Sequence, residues 1–241
     1  MKATFVQFKL LAIVVFIFAA QSCTDVYKKK QAVADGLLRD LGATSVFVGY
    51  STKANLGEET RNVTTLTFSG VNFTDAIEGE MLVNEVAYKF YSALSKEDLK
   101  GETHVEIVIK DKDAKETSVI FENKELALVG EYQALADAMV DACVKMDIEK
   151  MKELKSDDYM PEEQMAPMYE LVAYNDSIYQ GQKVEQKEVG FRFATGAQDE
   201  TLKMFSANYE CGTANLLTKY TVNVDQKTKK VVYLWMKTDP R

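Results

Sequence analysis

Three kinds of side chain in this 241-residue chain could carry chemistry: its single histidine, its three cysteines and a dense run of acids. His104 is the one residue around which a Ser-His-Asp or Cys-His arrangement could be built, and a lone histidine excludes zinc sites that need several. It opens the segment HVEIVIKD, where His104, Glu106 and Lys110 alternate with Val105, Ile107 and Ile109. That period of two puts the imidazole on the wet face of an edge or surface hairpin, and no G-x-S-x-G motif accompanies it. The reading is a solvated strand histidine whose loss alters stability little, and no catalytic residue is assigned. Asp157, Asp158, Glu162 and Glu163 make the densest acidic patch. They lack the spacing and the glycine of a calcium loop, and suit a solvated helix start where acids complement the helix dipole. No glycine-rich phosphate loop, C-x-x-C or H-E-x-x-H occurs, so neither a metal nor another cofactor is expected.

The first cysteine closes an N-terminal pattern. Lys2 and Lys9 supply a basic start, and Leu10 to Ala20 then runs eleven residues without a polar side chain. As a helix this stretch spans about half of a roughly 30 Å hydrocarbon core, which suits cleavage better than spanning. The following Ala20-Gln21-Ser22-Cys23 resembles the lipobox of bacterial lipoproteins in the looser form found in Bacteroidota; Ala20 and Gln21 stand where the strict box has Leu and a small residue. The resemblance implies a signal peptide over 1–22, a lipid on Cys23, and an envelope protein held to the membrane through that lipid. The same resemblance implies an outer-membrane anchor facing the periplasm rather than the cell surface, because lysines replace the acid-rich run associated with surface export in that phylum. Lys28-Lys29-Lys30 is read as a solvated tether over 23–30. Asp176-Ser177-Ile178 resembles the O-glycosylation acceptor of the same phylum, which would place a glycan on Ser177.

Removing residues 1–22 takes two lysines and no acids, so the 29 basic residues become 27 against 37 acidic, a formal charge of −10. That balance argues against a nucleic-acid partner, which needs clustered Lys and Arg. Cys143 and Cys211 remain, each on an apolar stripe aimed into a core. In an oxidising envelope they are candidates for a disulfide, which needs α-carbons within about 7 Å; two buried free thiols are the other reading.

Stepping along the chain, the elements fall into an α+β protein of two domains, 31–128 and 129–241. The first reads helix, strand, strand, helix, strand, strand. Its strands include about 44–50 and 63–71, joined by a charged loop, KANLGEETRN, and Asp75 with Glu78 makes a capping-box-like start to the central helix. There Val83, Val86, Ala87, Phe90 and Leu94 share one face, with Glu80, Asn84, Glu85, Lys89 and Ser92 on the other. The second domain opens with a long helix in which Leu128, Tyr132, Leu135, Met139, Cys143 and Met146 repeat at three- and four-residue steps. Asp147 caps a short turn, Pro161 and Pro167 suit first-turn positions, and a further helix ends at Gly181. Four strands follow at about 184–195, 201–211, 215–225 and 230–238, an antiparallel meander.

The stretch ALADAMVDACVKMDIEKMKELKSDDY and the closing strand VVYLWMK, in helices followed by a meander, resemble the nuclear-transport-factor-two-like, or SnoaL-like, cone fold. The resemblance implies a cavity between helices and sheet that binds a small molecule, with some members acting as enzymes through an Asp, His or Arg in the cone. Here that segment holds no histidine, and Arg192 alternates away from Phe191 and Phe193. Tyr169, Phe191, Phe193, Tyr209, Tyr220, Tyr233 and Trp235 are the aromatics that fill such a core or line its pocket. The expectation is a non-enzymatic lipoprotein that binds a small apolar ligand or a protein partner through the second domain. The alternatives are a cone-fold hydrolase or isomerase with a buried Asp or Tyr as acid–base group, and a structural subunit of an envelope assembly.

Overall fold

A computed structural model describes residues 25–53, 60–73, 76–113, 115–179, 184–196, 200–213 and 216–240. The signal segment, Cys23, the Asp75 cap and Gly181 lie outside the described residues. The fold is α+β and the chain divides into two compact units, residues up to Gly79 with Val86–Asn123, and Glu80–Glu85 with Lys124–Arg241.

In the first unit, helix α1 runs over 25–40 and is followed by β1 (Ser45–Lys53), β2 (Arg61–Val71), α2 (Ala76–Ser92), β3 (His104–Asp111) and β4 (Glu116–Glu122). The sheet order is β1-β2-β3-β4: two antiparallel pairs joined by a parallel β2–β3 pairing, with α2 as the crossover that parallel neighbours require. Leu66, Phe68, Val105, Ile107 and Ile109 are buried on one sheet face. His104 pairs with Val63 on one side and Glu122 on the other. It does open the β3–β4 hairpin that the sequence predicts, but it is half-buried at the start of a central strand and not on an edge; alternation fixes a residue's face, but not the strand's place in the sheet.

The tether expectation is also overturned. Residues 25–30 are already helical, and Lys30, Ala34 and Leu37 form a buried stripe at steps of four and three. Lys30 is 0% exposed because it has an acidic partner, Glu102; Lys29 similarly pairs with Asp98. Asn84, expected on the polar face of α2, is buried with its amide donating to the Glu80 carbonyl.

The second unit contains α3 (Asn123–Leu126, of which Asn123 counts with the first unit), α4 (Val129–Val144), α5 (Ile148–Leu154), α6 (Glu162–Tyr179) and strands β5 (Glu185–Thr195), β6 (Lys203–Gly212), β7 (Leu216–Asp225) and β8 (Val231–Pro240). The strands form the antiparallel meander β5-β6-β7-β8. The α4 helix packs against β6, β7 and α5 and buries Val129, Tyr132, Ala136, Met139, Val140 and Cys143. The expected stripe is too long at both ends: Leu128 is an exposed N-cap, and Met146 sits beyond the helix at φ 54°. Asp147 does cap α5, accepting from the Lys150 amide at 3.0 Å. Pro167 is not in a first turn but inside α6, where it cannot donate to the Glu163 carbonyl.

Candidate functional site

The expected apolar cavity is filled where α4 meets the sheet. Phe191 stacks on Phe205 with ring centroids 5.1 Å apart, Phe193 meets both edge-on at 6.2 and 6.1 Å, and Tyr132 closes the cluster 5.7 Å from Phe205. Tyr220 is buried on the same sheet face. Tyr233 and Trp235 are not pocket residues: they pair across the ladder with Asn223 and Thr221, on the face opposite Tyr220 and Val222, and are 47% and 40% exposed. Reading every aromatic of the meander as inward ignored the two-residue alternation that sends each second one out. Tyr169 lies on α6, with its hydroxyl donating to Glu162 at 3.3 Å; burial, then the Glu162 charge, pushes its phenol up to about 12. Ser177 falls within α6, and its side chain is outside the described residues.

Cys143 and Cys211 are buried free thiols. Burial pushes both up to about 12, and for Cys143 the neighbouring Cys211 adds to the effect. They meet in the core of the second unit as uncharged apolar groups. The acidic patch is tied down by lysine: Lys155, buried along its stem, bonds Asp157 and approaches Glu162 at 3.9 Å. Among the described residues no group of His, Cys, Asp or Glu is arranged to hold a metal ion.

What the packing leaves is a polar cleft of about 550 Å³ beside α4, lined by Gln133, Asp137, Ala138 and Asp141 from the helix, Gln186 and Glu188 from β5, and Tyr209 from β6. The spacing 133, 137, 141 is one helical stripe at four-residue steps, adjacent to the buried stripe 132, 136, 139, 143. Glu188 reaches the cleft through a β-bulge. The register pairs Phe191 with Ala207 and Glu188 with Tyr209, so one extra residue stands between the two inward positions. Without the bulge, alternation from Phe191 would turn Val189 inward; instead Val189 is 42% exposed and the carboxylate takes its place beside Tyr209. Gly190, at φ 153°, accommodates the irregularity.

Tyr209 forms the floor. The residue is 1% exposed, and its hydroxyl lies beside the Asp137 carboxylate without forming a well-aligned hydrogen bond. Burial first, and then the nearby Asp137 carboxylate, hold its phenol far above the ordinary value, so it is neutral at any physiological pH. Gln133 donates to a carboxylate oxygen of Glu188 and fixes it in the cleft, while Asp141, at the outer end, is bonded by Lys145 at 2.8 Å. A second cleft of about 680 Å³ lies at the start of α4, around Leu128, Tyr132, Asp225 and Gln226. Its buried carboxylate, Asp225, is already committed to its own turn, accepting from the Lys227 and Thr228 amides and the Thr228 hydroxyl.

Of the residues expected to line a pocket, Tyr209 alone lines the cleft on α4. Gln133, Asp137, Gln186 and Glu188 were missed, although Gly190 inside a strand and the phase slip from Val189 to Phe191 mark the bulge that delivers Glu188. No family model, curated protein or solved structure matches the chain.

Proposed function

We propose that this protein is a cell-envelope lipoprotein, acylated on Cys23 and facing the periplasm, whose second unit is a cone-like, non-catalytic binding module. The observation that carries the binding role is the polar α4 cleft of about 550 Å³, which α4, β5 and β6 line with side chains from one unit. The anchor reading rests on the apolar run Leu10–Ala20 and the Ala20–Cys23 box, and fits the lack, among the described residues, of any helix long and apolar enough to cross a membrane. The formal charge of −10 for the mature chain, from 27 basic and 37 acidic residues, keeps nucleic acid out of the reading.

A second reading, a cone-fold hydrolase or isomerase, is favoured by the closeness of Asp137 to Tyr209. It is the weaker one. Asp137 is open to water, so the carboxylate lacks the desolvated setting that tunes a general base, and a neutral phenol held far above its ordinary value is a poor proton donor.

The test is intact mass spectrometry of the protein extracted from membranes in mild detergent, beside Cys23→Ala. The expected result is a mature chain beginning at an acylated Cys23, and a variant that loses the lipid and leaves the membrane fraction. A mature terminus elsewhere, or unchanged membrane partition of the variant, overturns the anchor.

A further inference from the structure

We propose that the face of the first unit at the start of α1, built from Tyr27, Tyr50 and the lysines around them, rests in the headgroup layer of the membrane to which Cys23 is anchored. The inference deepens the anchor reading above and rests on it.

The length of chain between lipid and fold forces the contact. Thr24 alone separates the acylated cysteine from Asp25, the first residue of α1, and two Cα–Cα steps span at most roughly 7 Å. Helix α1 is itself held to the sheet: Lys30, Ala34 and Leu37 are buried along it, and Lys29 pairs with Asp98. A lipid at Cys23 therefore draws the folded unit, and not a loose tether, onto the bilayer surface.

The side chains at that end have the chemistry of the interface. Tyr27 and Tyr50 are 44% and 48% exposed and their ring centroids lie 6.1 Å apart, although one comes from α1 and the other from β1. With Val26 and Lys100 they line a mainly apolar cleft of about 580 Å³. Tyrosine, an apolar ring with a polar tip, is one of the side chains that gather at headgroup level. Lys28 and Lys100 are exposed beside the rings, with stems that can lie along apolar surface while the ammonium reaches phosphate.

Charge points the same way. With 27 basic residues against 37 acidic, the mature chain as a whole is repelled by an anionic lipid surface. This face is balanced instead: Asp25, Glu97, Asp98 and Glu102 stand against Lys28, Lys29, Lys30 and Lys100. Three of those acids are already neutralised, Asp98 by Lys29, Glu102 by Lys30, and Glu97 by Lys100 at 3.8 Å.

The experiment places a single tryptophan in the mature, acylated protein, reconstituted into vesicles of phosphatidylethanolamine and phosphatidylglycerol that carry a nitroxide on the headgroup. Trp235, the chain's one tryptophan, is replaced by Phe. The probes are Tyr27→Trp, Tyr50→Trp and, about 20 Å along α1 from residue 27, Asp40→Trp. Thermal melts show which variants are folded, and either tyrosine position suffices. All should float with the vesicles, and the nitroxide should quench the fluorescence at positions 27 and 50 while position 40 stays bright. If the protein floats but positions 27 and 50 are quenched no more than position 40, the anchor stands and the docking face is overturned. If the protein does not float, the anchor reading fails and the docking face falls with it.

Discussion

Each unit of this protein buries one conspicuous polar group, and the two are treated in opposite ways. In the first unit Lys30 is 0% exposed, yet its ammonium is paired with Glu102, the Thr64 hydroxyl donates to the other Glu102 oxygen, and the Tyr50 ring lies 5.1 Å from the Lys30 nitrogen. In the second unit the Tyr209 hydroxyl is equally buried, but its one acidic neighbour, Asp137, stays open to water and no well-aligned hydrogen bond joins them. A closed network brings its own compensation and works as a structural clasp, here holding α1 onto the sheet from residue 30 onward. An open one carries a demand that its neighbours meet only in part, and it adds little to what holds the unit together. Burial of a polar group is therefore no sign of function until its partners have been traced.

The largest effect should come from breaking the clasp. Glu102→Ala leaves the Lys30 charge buried without its counter-charge, which typically costs about 3–5 kcal/mol. Lys30→Met removes the charge and keeps the apolar stem, and Glu102, which retains some exposure, can turn toward water. It should cost far less, under about 1.5 kcal/mol, as volume-conserving swaps do. Chemical denaturation of both variants checks this, and equal losses would show that stranding the Lys30 charge carries no penalty beyond losing the pair itself.

Opening and closing should reverse sign in the second unit. Tyr209→Phe deletes the poorly bonded hydroxyl while preserving the ring, so the variant should be as stable as the parent or gain about 1 kcal/mol. A loss of about 2 kcal/mol would mean that the hydroxyl is satisfied in solution, and the contrast between the units would collapse.

The companion clasp of α1 gives a pH signature. The Lys29 ammonium, followed by the Ser95 hydroxyl and amide, holds Asp98 down to about 2, below its ordinary 3.8. A carboxylate depressed by folding contributes stability that is fully present above its ordinary value and lost as pH falls through the folded one. The first unit should therefore weaken between about pH 4 and pH 2, and Asp98→Asn should flatten that part of the acid limb. The measurement is the midpoint of chemical unfolding against pH, and an unchanged acid limb in the variant would remove Asp98 from the clasp.

How much of this was legible follows from what each signal encodes. Periodicity placed β3, α4 and the closing meander, and the Asp147 cap was read correctly, because these are local properties of the chain. Sequence could not show that Lys30 turns inward, since the neighbours Lys28 and Lys29 argue for solvation and the deciding residue, Glu102, is far away in the chain. The cleft was missed for a related reason. Its acids look like ordinary solvated helix and strand residues, and only a one-residue bulge brings Glu188 over Tyr209. Tyr233 and Trp235 were misplaced by composition overriding alternation, an error the sequence itself could have corrected.

The smallest expected effect belongs to a group between the two extremes. His104 is half-buried at the first position of a central strand, flanked by Val63 and Glu122, with its Nδ1 2.7 Å from the Thr103 hydroxyl. It is neither fully buried like Lys30 nor poorly bonded like Tyr209. Truncation to Ala removes that hydrogen bond, whose net worth is about 1 kcal/mol or less, but strands no buried charge and opens no void in the apolar face formed by Val105, Ile107 and Ile109. For a unit of about 100 residues this corresponds to a melting shift of about 4–8 °C at most. A panel of esterase, phosphatase and glycosidase substrates should show no turnover that depends on His104, because removing a working general base costs about a hundredfold or more in rate. A melt lowered well beyond that range would make His104 part of a closed network like that of Lys30, and any turnover lost with the imidazole would move the chemistry of this protein from the second unit to the first.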